Sequence, residues 1–141
     1  MAKFLVVEDG TEIYQQPLIW FKNINTLKSP IMQSFAFLQS FFSVSYEIPM
    51  FTGKFFSWRL KYSVGHGLFI KGSFLIRVGG LPDIIEDVRL GRLSSFLGVK
   101  TKLVYGFGIV ETAKSFPVYI KQSSVWFFGC GLFINDYLYN V

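Results

Sequence analysis

Apolar positions recur along this chain in two rhythms. Lys3–Val7 and Glu12–Gln15 read as short strands around Glu8-Asp9-Gly10, and Asp-Gly between apolar runs is a hairpin signal. Pro17 interrupts the second strand, and Leu18–Lys22 reads as another. Ser29-Pro30 has the form of an N-cap followed by proline at the first helical position. Ile31, Phe35, Leu38 and Phe42 follow at helical spacing, which predicts a helix over Pro30–Phe42. Pro49 to Gly53 then marks a boundary. Beyond it, Ser57–Ser63 alternates Trp58, Leu60 and Tyr62 with Arg59 and Lys61. Leu68–Lys71 follows a Gly65-His66-Gly67 turn, and Ser73–Val78 resumes as a strand after Gly72. Asp83–Arg89 fits a strand or a short helix, and Lys100–Tyr105 a strand that ends at Gly106. Ile109–Gln122 has helical spacing, with Pro117 requiring a kink or a late start. Val125–Tyr139 reads as an extended tail through Gly129-Cys130-Gly131. The expected class is α+β, an antiparallel sheet with a helix packed on one face.

Composition narrows what such a fold can do. The chain has 141 residues, of which 51% are hydrophobic and 17 are phenylalanine, so it is no disordered segment. One cysteine excludes a disulfide framework and a Cys-rich zinc site, and one histidine excludes a multi-His centre. No metal or cofactor is expected. A spanning helix needs roughly 20 consecutive apolar residues. The best run, Phe35–Phe51, is broken by Gln39, three serines, Glu47 and Pro49, so no membrane span is expected. The N-terminus turns acidic at Glu8-Asp9 and resembles neither a signal peptide nor a transit peptide.

Charge divides the chain unevenly. Residues 1–52 carry three basic and four acidic residues, and residues 53–141 carry eleven basic and five acidic. The net charge of +5 therefore belongs to the second part, which argues for an anionic partner there. Candidate catalytic groups are sparse. His66 stands between two glycines in a turn and has no identifiable partner, and Cys130 lacks a His/Asp arrangement. Glu86-Asp87 are adjacent, so on a strand they face opposite ways and read as a solvated edge. Neither Gly65-x-Gly67 nor Gly129-x-Gly131 continues into a nucleotide-binding fingerprint. Glycine does let a second backbone approach closely, and the surrounding lysines and arginines suit phosphates.

In order, the motifs of residues 54–141 resemble a family. Phe56–Gly67 is similar to a segment of the sixth protein of the large ribosomal subunit, bacterial and organellar type. Leu75–Ile84 and Thr101-Lys102-Leu103-Val104-Tyr105-Gly106 are similar to its next two motifs. Phe128–Asp136 resembles its glycine-bearing tail. The resemblance implies two tandem small α+β domains, a reduced one over 1–52 and an RNA-binding one over 53–141. It implies binding to ribosomal RNA near the factor-binding region below the stalk, without catalysis.

Carried over by position, Gly129, Gly131 and Phe133 fall on the RNA-contacting tail, and Gly65 and Gly67 on a glycine turn. His66, Lys71, Lys102, Lys114, Lys121 and Cys130 complete the candidate RNA-binding set. Two departures stand out. Cys130 and Phe133 occupy positions where the family has cations, and each lost cation removes a phosphate partner. The expected partners are large-subunit ribosomal RNA and neighbouring ribosomal proteins, with no small-molecule substrate. The Phe-rich character suggests a mitochondrial matrix ribosome and an organelle-encoded chain. Two other readings stay open: a small peripheral membrane-associated subunit of an organellar complex, and a small enzyme using His66 or Cys130.

Overall fold

The structure is a computed structural model and describes residues 10–52, 65–81 and 86–139, with 129–139 as helical backbone. It is α+β. β1 (Ile13–Gln15) is the middle strand of a three-stranded sheet. β3 (Leu68–Ile70) lies antiparallel on one side of it and β4 (Thr101–Leu103) parallel on the other. β2 (Leu18–Ile19) pairs in parallel with β5 (Gly108–Ile109). The expected antiparallel order therefore holds for β1 with β3, and the sheet as a whole is mixed. The reason is connection length: two parallel strands need a long crossover, and the chain between β1 and β4 holds several helices. Both sheets join strands from either side of residue 53. The hairpin partner Lys3–Val7 and the strand Ser57–Ser63 lie outside the described residues.

The two parallel pairings form one long seam. Glu12 N–H donates to the Lys100 carbonyl, and Val104 N–H to Gln15. Gly108 N–H donates to Pro17, Val110 N–H to Ile19, and Lys22 N–H to Val110. Pro17 lacks an N–H but keeps its carbonyl, so it interrupts the strand without breaking the seam. Gly106, at φ +113°, takes up a bend between β4 and β5.

Helix α1 runs over Pro30–Phe42 as the spacing predicts, with proline in its first turn. Ser29 makes no side-chain cap; its carbonyl accepts Gln33 N–H. The helix continues through a wider π-type turn, Ser43–Glu47, into α2 (Ile48–Thr52). Pro49 cannot donate to a carbonyl one turn back, and the wider winding before it lets the helix continue.

Three stretches differ from their sequence reading. Ser73–Val78 is not a strand, since α3 spans Gly72–Arg77. In a helix Phe74, Leu75 and Val78 share a face, and all three pack into the core while Ile76 is exposed. A six-residue apolar run is too short to reveal its period. The ambiguous stretch after Asp83 resolves into α4 (Glu86–Phe96), whose first turn carries Glu86 and Asp87 where the helix dipole favours acids. The extended tail expected over Val125–Tyr139 is instead the greater part of α5 (Phe116–Tyr139). Pro117 sits in its first turn, where no helical N–H is needed, so the helix starts late. Gly129 and Gly131 are helical too; each costs about 1 kcal/mol against alanine, which a 24-residue apolar helix carries.

Buried apolar residues lie on β2, α1 and α2, among them Leu18, Met32, Ala36, Met50 and Phe51, and a separate cluster packs on the three-stranded sheet. Ile13, Phe74 and Leu90 are fully buried there, with Leu68, Ile70 and Val99 packed around them. α2 lies against β4. Among the described residues no helix is long and apolar enough to cross a membrane.

Candidate functional site

The glycine turn is held from three directions. Gly65 N–H donates to Asp87 Oδ2 at 2.6 Å, while Oδ1 accepts Val88 N–H at 2.8 Å. Asp87, read from sequence as part of a solvated edge, therefore ties α4 to the turn. The Gln15 side chain donates to the His66 carbonyl at 3.0 Å, and Gln16 N–H to the Gly67 carbonyl at 2.8 Å. Gly67 has φ +70°, and a Cβ there would lie 2.8 Å from Gln16 Cβ. Only glycine fits this position without strain.

His66 is exposed, and its ring stands edge-on to Trp20 at 6.3 Å between centroids. No carboxylate is paired with it among the hydrogen bonds and ion pairs of the described residues. Trp20 is buried and meets Trp126 of α5 on another side, also at 6.3 Å. Its carbonyl accepts Thr112 Oγ1 at 3.0 Å. One residue, Trp20, therefore links the glycine turn and α5 through its ring and the seam through its carbonyl.

The seam ends in a side-chain clamp. Asn23 Nδ2 donates to the Thr112 carbonyl at 2.8 Å, and Thr112 N–H donates to Asn23 Oδ1 at 2.9 Å. The carboxamide copies one more rung of a β ladder. Directly beyond it opens a groove of about 570 Å³, lined by Glu111–Lys114 and by Val118, Lys121, Gln122 and Val125 of α5. Glu111 is engaged by Lys22 at 3.6 Å. That pair is itself exposed, and among the described residues lining the groove the other charges are Lys114 and Lys121, beside the apolar Ala113, Val118 and Val125. Two of the sequence-selected lysines meet in one site.

The other candidates lie elsewhere. Lys71 is half-buried at the start of α3, its N–H on the Glu12 carbonyl. Lys102 is exposed on β4, in register with Tyr14. Gly129, Cys130, Gly131 and Phe133 are helical backbone of α5, with Gly129 about 20 Å along the axis from its start. Inside a helix their N–H groups are directed at carbonyls one turn back, so they form no open cradle for phosphate. Trp20, Asn23, Thr112 and Asp87 were not selected from sequence as site residues, and no motif around them marked them out.

Among the described residues no cluster of three His, Cys, Asp or Glu side chains is placed to hold a metal. The chain matches no family model, no curated protein and no solved structure.

Proposed function

We propose that this chain is a non-catalytic, RNA-binding structural component of the large subunit of an organellar, mitochondrial ribosome. The observation that carries the reading is the order and spacing of the motifs over residues 54–141, on the part that holds eleven of the fourteen basic residues. The groove supports it, because Lys114 and Lys121 stand together there and, among the described residues that line it, the one acid, Glu111, is paired with Lys22. Phosphate binding needs such cations. The binding face in this reading is the groove and the glycine turn rather than Gly129 to Phe133.

Co-sedimentation tests it. The chain is expected to travel with the large subunit and its RNA on a sucrose gradient, and to stay there in detergent. Recovery in a membrane pellet free of ribosomal RNA overturns the reading. Lys114→Glu with Lys121→Glu is expected to impair incorporation into the subunit, and Glu86→Lys to leave it intact. Equal effects remove the groove from the RNA face.

A second reading, a peripheral membrane-associated subunit, draws on one observation. The outer side of α1 exposes Ile31, Leu38 and Phe41 in a row without charge. Release of the chain by alkaline carbonate but not by RNase favours that reading over the first.

A further inference from the structure

We infer that the groove between the Asn23–Thr112 clamp and α5 receives an unpaired nucleotide, not the backbone of a duplex. This rests on the RNA-binding reading above and specifies the form of RNA. A duplex offers the protein phosphates, and two lysines alone satisfy those. The groove has a second component that phosphates leave unused: the apolar floor of Val118 and Val125, both exposed in the chain by itself. Covering that floor removes apolar area from water, which a base does with its flat face while its phosphate stands near Lys114 and Lys121. The groove is open, and its volume of about 570 Å³ leaves room for a base. Gln122 adds a donor and an acceptor for a base edge.

The site is also built before anything binds. Thr112 uses its N–H, carbonyl and hydroxyl in bonds to Asn23 and Trp20, so one wall is fixed to the segment that follows β2. Glu111, the acid at the rim, is turned to Lys22. The charge left at the groove is positive, which matches a nucleotide. An acidic peptide shares the charge, and it becomes an arm of the test.

The test uses the full chain in a mild nonionic detergent, with labelled RNA strands of about eight nucleotides, single or annealed to their complements. A glutamate oligomer of similar length is the third probe. The single strand is expected to bind about tenfold more tightly than the duplex at the same salt concentration. Val118→Ser with Val125→Ser, which keeps both lysines, is expected to abolish that preference while leaving the duplex affinity. Lys114→Glu with Lys121→Glu is expected to weaken both. Circular dichroism checks that each variant keeps its helices. Equal binding of strand and duplex by the unaltered chain overturns the proposal, as does tighter binding of the glutamate oligomer. A chain that co-sediments with the large subunit yet binds strand and duplex equally fails here and leaves the ribosomal reading standing.

Discussion

The two edges of the β2–β5 pair are treated in opposite ways. On the β2 edge, Leu18 N–H donates to Ser43 Oγ at 3.2 Å and Trp20 N–H to Ser40 Oγ at 2.8 Å. Both serines come from the helix that lies over that edge, and both are buried. Each hydroxyl also donates onward, Ser40 to the Ala36 carbonyl and Ser43 to Glu47. Serine is ordinarily a neutral to poor helix residue. Here it stands in for a missing strand. On the β5 edge, Gly108 and Val110 donate to the seam, so Ile109 between them faces away from it, and the residue is 64% exposed. Tyr105 and Phe107 beside it are exposed as well. The contrast shows that an edge needs hydroxyls where it is buried and needs none where water reaches it.

That comparison can be broken most forcefully at the closed edge. Ser40→Ala with Ser43→Ala strands two buried N–H groups at about 1–3 kcal/mol each, so urea denaturation should show a stability loss of about 2–6 kcal/mol. A loss below the lower figure means water reaches that edge. Next comes the clamp that ends the seam. Asn23→Ala leaves the Thr112 N–H and carbonyl without their partners, and a loss of about 2–3 kcal/mol is expected in the same assay. Gly67→Ala ranks third, at about 1–3 kcal/mol, from its positive φ and the approach to Gln16. Amide exchange should quicken at Gln16 in that variant. Ile109→Pro should do least. It removes an N–H that the seam does not use, and a change within about 0.5 kcal/mol is expected. A loss as large as the double serine variant's would show that the open edge is occupied within the chain.

Much of the local structure was legible because its causes are local. Ser29-Pro30 and the spacing of Ile31, Phe35 and Leu38 gave the start and range of α1, but not its continuation through Ser43–Glu47 into α2. β3 and β4 fell inside their expected stretches because Gly67 and Gly106 bound them. Where two periods fit the same few residues, as at Ser73–Val78, packing decided, and packing was not on the sequence. The tail was misread because glycine pairs commonly mark turns, while here an apolar helix runs through them. The site divides in the same way. Lys114 and Lys121 stood out by charge. Asn23 and Thr112 are 89 positions apart, and Trp20 and Thr112 are 92 apart. Nothing in either neighbourhood announces such a meeting.

The parallel seam has a consequence for the order in which the chain is made. Ile13 emerges 88 positions ahead of its partner Thr101, and Leu18 waits longer still for Gly108. At ordinary synthesis rates that interval is roughly 4–18 s. Throughout it β1 and β2 lack their parallel partners, and the apolar outer side of α1 has already been made. The piece that closes the sheets arrives late: once residues 101–112 are in place, the seam, the clamp and one wall of the groove form together. A chain halted before that point would carry the helix and its serines with no strand edge fully assembled beneath them.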